Sequence, residues 1–193
     1  MKNILILGAT GGLARQVIPV LLAKPDIHLT LFARRSEPLA EFAAPNVRIV
    51  KGDVLDFDAL CKAMAGQDLV YANLAGNLEP MADNVVKAME KSGIKRLIWI
   101  SSMGIYNETG EDHGAILQPY KRSAAIVENS GLAYTLIRPA WFTNSPEIDY
   151  QLTQKGEPFQ GSQVSKRSIA DLISKIIADP ERYSGQSLGI GKV

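Results

Sequence analysis

Glycines follow the first apolar run of the chain at a spacing that suits the binding of a diphosphate group. The run ends at Leu7, and residues 8–14 read Gly-Ala-Thr-Gly-Gly-Leu-Ala, the pattern G-x-x-G-x-x-A. Gly8 allows a sharp turn off a strand, and Gly11 or Gly12 allows the backbone to approach a pyrophosphate closely. The N–H groups of a helix that begins here would face the anion. The segment is therefore predicted to open a dinucleotide-binding βαβ unit, and a purely structural turn is the alternative.

Two arginines stand where an NAD-binding unit usually carries a carboxylate. In such units an Asp or Glu at the end of the second strand hydrogen-bonds the ribose hydroxyls of adenosine. Here the second apolar run ends in Ala33, followed by Arg34 and Arg35. Because the planar fork of a guanidinium matches a phosphate, the pair predicts NADP in preference to NAD. A solvated surface pair is the alternative, and Glu37 is close enough in sequence to neutralise one arginine.

The elements that must position these residues alternate along most of the chain. Six strands are predicted, at Asn3–Leu7, His28–Ala33, Val47–Lys51, Leu69–Ala72, Leu97–Ile100 and Tyr134–Ile137. Asp56 is expected to cap a helix that ends at Gly66, another helix ends before Gly93, and Ser165 or Ser168 caps the last one. This alternation predicts an α/β fold: a doubly wound, mostly parallel Rossmann sheet with helices on both faces.

Two segments interrupt the alternation and are expected to form the walls of a substrate pocket. Residues 103–119 read as a loop, and residues 140–166 as a small substrate-side insertion toward the C-terminus with a turn at Lys155–Pro158 between two short extended pieces. Both follow carboxyl ends of predicted strands, where ligands bind in open parallel sheets. Since there is no linker or internal repeat, residues 1–193 are predicted to form a single domain.

Composition limits the class of function. The 193 residues include 21 basic and 20 acidic ones, so the net charge of +1 attracts neither nucleic acid nor an acidic membrane. Cys61 is the only cysteine, which excludes an intramolecular disulfide and a cysteine-rich zinc site, and no metal is predicted. The first apolar run is too short for a signal peptide, and none approaches the roughly 20 residues of a membrane span. We therefore expect a cytoplasmic protein, a monomer or weak homodimer, with a small-molecule substrate.

Six short segments taken together resemble a known family. They are Gly8–Gly12, Gly52–Val54, Asn73–Gly76, Ser101–Ser102, Gly131–Pro139 and Ser165–Asp171. Their order is similar to that in atypical short-chain dehydrogenase/reductases, and most similar to the NmrA-like, NAD(P)-binding branch that includes small NADPH-dependent flavin reductases. The resemblance spans essentially the whole chain.

The resemblance implies cofactor contacts after each strand. The adenosine and diphosphate side would be held by Gly8, Thr10, Gly11, Gly12 and Leu13 at the pyrophosphate, Arg34 and Arg35 at the 2′-phosphate, and Asp53 with the Val54 N–H at the adenine edge. The nicotinamide side would be held by Leu74, Ala75, Gly76, Ser101, Lys121, Pro139 and Trp141. A capping role is the alternative for Asp53.

The catalytic residues implied by the resemblance are incomplete. Ser102 falls on the family's catalytic Ser/Thr, and a strand-end hydrogen bond is its alternative role. Lys121 matches the lysine of a Tyr-x-x-x-Lys pair, in which the lysine binds the ribose and lowers the pKa of the tyrosine. Leu117 stands in the place of that tyrosine. The conceivable substitutes as proton donor are Tyr106, His113 and Tyr120.

These features indicate NADPH-dependent transfer of hydride to a small, flat acceptor such as a flavin, a quinone or a carbonyl compound. A flavin or quinone takes its proton from water, so the missing tyrosine is tolerable there. Trp141, Phe142 and Tyr106 are candidates to sandwich an aromatic substrate. The alternatives are a non-catalytic NADP sensor of the NmrA-like type, which the missing tyrosine favours, and a sugar-nucleotide epimerase or dehydratase, which it disfavours.

Overall fold

Apolar runs that are buried on both faces form the centre of a parallel sheet. The computed structural model describes residues 1–193. Its strands are β1 (Lys2–Leu7), β2 (Ile27–Ala33), β3 (Val47–Lys51), β4 (Leu69–Ala72), β5 (Arg96–Ile100), β6 (Ala133–Pro139), β7 (Trp141–Thr143), β8 (Gln151–Gln154), β9 (Gln163–Ser165) and β10 (Gln186–Gly191). Its α-helices are α1 (Ala14–Leu22), α2 (Phe57–Met64), α3 (Leu78–Ser92), α4 (Gln118–Glu128) and α5 (Lys166–Ala178). No helix is both long and apolar enough to cross a membrane.

The main sheet has eight strands in the order β3-β2-β1-β4-β5-β6-β10-β8. All neighbours are parallel except β8, which runs antiparallel to β10 at the edge. Helices α1 and α5 pack on one face, and α2, α3 and α4 pack on the other. The predicted doubly wound Rossmann sheet is therefore confirmed.

Three helices begin or end at capping residues that the sequence predicts. The Asp56 carboxylate accepts the Ala59 N–H at 3.0 Å at the start of α2. Of the two serines proposed for α5, Ser165 is the cap, and its hydroxyl accepts the Ser168 N–H at 3.0 Å. Helix α3 ends at Gly93, whose φ of 71° lies in the left-handed region that glycine tolerates.

Four strands that were not among the six predicted lie after residue 140, and two of them, β8 and β9, correspond to the two predicted extended pieces. The predicted turn at Lys155–Pro158 does follow β8, but the two extended pieces around it do not pair with each other. Strand β8 pairs with β10, and β9 pairs in parallel with β7 in a separate two-stranded sheet. The substrate-side segment is thus fastened to the main sheet through β10.

Candidate cofactor-binding site

The carboxyl ends of β1 to β4 surround a cavity of about 550 Å³. It lies where the strand order reverses between β1 and β4, the place where doubly wound sheets bind ligands. Its volume is within the usual range of about 300–1,000 Å³ for small-molecule sites. The lining residues are Gly8, Thr10, Gly11, Phe32, Ala33, Arg34, Arg35, Gly52, Asp53, Val54, Asn73, Leu74, Ala75 and Met81.

The glycine loop between β1 and α1 packs tightly against the residue that follows β4. Gly8 has a φ of 73°, and a Cβ there would overlap the carbonyl oxygen of Asn73. A Cβ on Gly11 would overlap the side-chain amide of the same residue. The Gly11 N–H donates to the Gly8 carbonyl at 3.0 Å, which closes the turn. These contacts explain why positions 8 and 11, which face Asn73, have no room for a side chain.

Backbone donors of this loop remain available to a ligand. The N–H groups of Thr10, Gly12 and Leu13 donate to no group of the protein, and Leu13, the N-cap of α1, contributes no side-chain cap. They stand at the positive end of the helix dipole. This arrangement fits the diphosphate of a dinucleotide.

The arginine pair lies at the same cavity without an acidic partner. Arg34 and Arg35 are exposed, and neither forms an ion pair or a side-chain hydrogen bond with the protein. Glu37, which the sequence left as a possible neutralising group, instead faces Lys51 at 3.9 Å. Two guanidiniums are thus free to bind an anion at the end of β2.

Asp53 forms the capping bond that the sequence left as its alternative role, and it keeps an acceptor free at the cavity. One of its carboxylate oxygens accepts the Leu55 N–H at 2.9 Å, which is a local capping bond. Its other carboxylate oxygen has no partner, and the N–H of Val54 donates to no group of the protein. An acceptor and a donor are therefore present side by side, as an adenine edge requires.

Five residues of the cavity carried no predicted role: Phe32, Ala33, Gly52, Asn73 and Met81. The ring of Phe32 lies against Gly52, where a Cβ would come within 2.5 Å of it. In the sequence Phe32 reads as an ordinary strand residue. Two features of the sequence could have indicated cavity residues: Gly52 directly follows β3, and Asn73 directly follows β4.

The remaining predicted cofactor residues do not line this cavity; they are Gly12, Leu13, Gly76, Ser101, Lys121, Pro139 and Trp141. Several of them follow β5 and β6 along the same edge of the sheet. The Ser101 N–H donates to the Ile137 carbonyl at 2.7 Å, and the Met103 N–H donates to the Pro139 carbonyl at 3.1 Å. The loops after β5 and β6 are thereby joined beside the cavity.

The three predicted catalytic side chains form no hydrogen bonds with one another. The Ser102 hydroxyl donates to the Met103 carbonyl at 3.0 Å, and the Lys121 ammonium donates to Asn107 Oδ1 at 3.3 Å. Leu117, in the place of the family's tyrosine, is buried against Gly104. The standard position of the proton donor is thus taken by a packed apolar side chain.

The contacts of Tyr106 favour a structural role. Its hydroxyl donates to Glu128 Oε1 at 2.5 Å and lies 3.1 Å from Ser187 Oγ. Burial raises the pKa of Tyr106, and the bond to Glu128 raises it further. The hydroxyl is therefore a poor proton donor to an outside acceptor.

The other two candidate donors also differ in availability. His113 Nε2 lies 3.0 Å from Thr109 Oγ1, and the imidazole packs over Gly104. The half-buried Tyr120 forms no hydrogen bond through its hydroxyl. Of the three candidates, Tyr120 has the least engaged polar group.

The sequence matches a family model described as NAD(P)H-binding over residues 8–180. The chain belongs to this NAD(P)H-binding family. A Rossmann-fold NAD(P)-binding family protein from Shigella flexneri is 46% identical, with a TM-score of 0.89 over 100% of this chain and 94% of that one. A short-chain dehydrogenase/reductase from Veillonella parvula, solved in complex with NADP, is 27% identical, with a TM-score of 0.91 over 99% and 94%.

A curated relative adds a named activity. The (4-alkanoyl-5-oxo-2,5-dihydrofuran-3-yl)methyl phosphate reductase of Streptomyces griseus subsp. griseus is 30% identical over 142 residues. The match covers 74% of this chain and 49% of the relative, so the chain spans about half the length of that protein. With the motifs and the fold, these similarities confirm an atypical short-chain dehydrogenase/reductase of the NmrA-like type.

Proposed function

We propose that the chain is an NADPH-dependent reductase that transfers hydride to a small, flat acceptor such as a flavin, a quinone or a carbonyl compound. The observation that carries the cofactor assignment is the unpaired guanidinium pair, Arg34 and Arg35, at the cavity that also holds the free loop amides. The naming of a relative as a reductase supports the reaction type. NADPH, when bound, supplies the hydride, and the protein supplies position and a pocket.

The proposed contacts divide between the two ends of the dinucleotide. The free amides of the glycine loop bind the diphosphate, the arginine pair binds the 2′-phosphate, and Asp53 with Val54 recognises adenine. Leu74, Ala75 and Gly76 border the nicotinamide ribose, and Lys121 donates to its hydroxyls. Ser101, Ser102 and the backbone of Pro139 and Trp141 surround the nicotinamide.

Exposed aromatic side chains favour a flat acceptor. Trp141 and Phe142 of β7 follow β6 and are 67% and 46% exposed. Exposed aromatic faces of this kind stack on planar ligands. Leu117 stands in the place of the family's tyrosine, and the Tyr106 hydroxyl is engaged with Glu128. An acceptor whose reduced form takes a proton from water therefore suits this site better than a simple ketone, for which Tyr120 is the remaining candidate donor.

The arginine pair gives the direct test of the cofactor. Replacing both residues, Arg34→Ala with Arg35→Ala, should weaken NADPH binding by at least about 100-fold, since each charged hydrogen bond contributes about 1.5–3 kcal/mol. NADH binding should change little, because NADH lacks the 2′-phosphate. Fluorescence titration with both cofactors measures this, and Arg48→Ala on the exposed surface of β3 is the matched control. Equal losses for NADPH and NADH would contradict the assignment.

A non-catalytic NADP sensor is the second candidate, and the burial of Leu117 against Gly104 favours it. A panel of flavins, quinones and carbonyl compounds, assayed by NADPH oxidation, separates the two functions. Turnover with a member of the panel supports the reductase. Tight NADPH binding without turnover on any of them supports the sensor.

A further inference from the structure

The side chain of Lys166, the first residue of α5, extends toward the glycine loop that precedes α1. Its ammonium nitrogen lies 3.2 Å from the position that a Cβ on Gly12 would take. Gly12 is one of the loop residues whose N–H donates to no group of the protein. A cation from the C-terminal part of the chain therefore stands directly over the diphosphate-binding loop.

The surroundings of this cation contain no negative charge that pairs with it. Lys166 forms no ion pair, and its hydrogen-bond partner is the neutral side chain of Asn144, with Nζ to Oδ1 at 3.0 Å. Lys175 on the same helix and Lys192 are by contrast paired with carboxylates at 2.7 Å. A half-buried ammonium beside the positive end of a helix is unfavourable unless an anion lies between them.

We propose that Lys166 donates to the diphosphate of the bound cofactor, together with the amides of the glycine loop, and that Asn144 orients its ammonium. The inference rests on the proposed NADPH site and deepens it. Since Asn144 belongs to the substrate-side segment 140–166, the same contact joins that segment to the bound cofactor. The diphosphate is common to NADPH and NADH, so Lys166 contributes affinity without discriminating between them.

The test compares ligands with and without a diphosphate. Lys166→Met should weaken NADPH and NADH binding alike, by about 10-fold, the size of one charge-assisted hydrogen bond. Binding of adenosine 2′-monophosphate, which carries the 2′-phosphate and no diphosphate, should be unchanged. Lys166→Arg should keep most of the affinity for both cofactors. Arg167→Met, which removes an exposed cation at the next position, should have no effect.

Each outcome decides the inference. Unchanged NADPH and NADH affinity in Lys166→Met would overturn it, and so would an equal loss for adenosine 2′-monophosphate. A second variant, Lys166→Gln, with the unfolding temperature measured without ligand, separates loss of binding from loss of folding. The arginine double variant should weaken the binding of NADPH and of adenosine 2′-monophosphate and leave NADH binding unchanged. NADH and adenosine 2′-monophosphate therefore distinguish the two sets of variants. If the wild-type chain binds neither cofactor, the proposed function fails and this inference with it.

Discussion

At the scale of single residues, Glu108 holds the loop that follows β5. Its carboxylate accepts the N–H groups of Gly104 and Tyr106 at 3.0 and 2.8 Å and pairs with Arg138 Nη1 at 2.5 Å. The side chains of Glu108 and Arg138 are 5% and 0% exposed. Burial acts to raise the pKa of the Glu108 carboxyl, but the backbone N–H groups and Arg138 outweigh it and hold that pKa below its usual value.

Glu108→Gln should therefore lower the free energy of unfolding by about 3 kcal/mol at pH 7, because it leaves Arg138 buried without a counter-charge. The depressed pKa of the folded state means that the carboxylate stabilises the fold above its unfolded pKa of about 4.3. This stability is lost as the pH falls through the folded pKa, so the difference between the wild type and the variant should shrink toward pH 3.

Urea unfolding at several pH values measures this difference. Glu111→Gln is the control, since the Glu111 side chain is 78% exposed. A stability difference for Glu108→Gln that stayed constant between pH 7 and pH 3 would show that the charge of Glu108 is not what stabilises the loop.

At the scale of elements, we expect two of the three glycines in the turn from β1 to α1, Gly8 and Gly12, to have separate tasks. Gly8→Ala should destabilise the fold by about 3 kcal/mol, because a left-handed φ and an overlap with the Asn73 carbonyl both oppose a side chain. Gly12→Ala meets Lys166 Nζ at 3.2 Å and no other residue of the protein, so stability should change by less than about 0.5 kcal/mol. The new methyl group would instead obstruct the diphosphate and weaken NADPH binding.

Thermal unfolding of both variants, together with NADPH titration, tests this division. Equal destabilisation by Gly8→Ala and Gly12→Ala would mean that the loop has one structural task and no separate binding task.

The sequence predicted the six strands that short apolar runs mark, and it missed β10 although that strand is buried in the parallel part of the sheet. Strand β10 contains Gly189 and Gly191, which break an apolar pattern. A Cβ on Gly189 would overlap Thr153, and one on Gly191 would overlap the Gln160 carbonyl. The glycines that obscured this strand are therefore required by the segment that packs on it.

The residues of the candidate site likewise fall into those that the sequence predicts and those that only the packing reveals. Residues directly after strand ends were predictable, because parallel strands bring their carboxyl ends to one edge of the sheet. Arg34 and Asp53 reach the cavity for this reason. Phe32 and Met81 were not predictable, because their place in the cavity depends on which side of the sheet or helix faces it. The burial of Leu117 likewise depends on its packing over Gly104.

At the scale of the whole molecule, the cavity borders both hydrophobic cores. Phe32 belongs to the core under α2, α3 and α4, and Ala33 belongs to the core under α1 and α5. A ligand that contacts the ends of β1 to β4 therefore stabilises the sheet that both cores share. Binding of NADPH should raise the resistance of the entire chain to unfolding.

The size of this effect follows from linkage. NADPH at 100 times its Kd should add about 2.7 kcal/mol to the free energy of unfolding. For a domain of this length, that corresponds to a rise in Tm of about 5–10 °C. NADH at the same concentration should give a smaller rise, and Arg34→Ala with Arg35→Ala should reduce the NADPH shift to the NADH value. Scanning calorimetry with both cofactors measures all four combinations. An unchanged NADPH shift in the double variant would mean that the 2′-phosphate binds elsewhere in the molecule. A shift reduced to the NADH value would mean that two side chains at the end of β2 set the cofactor preference.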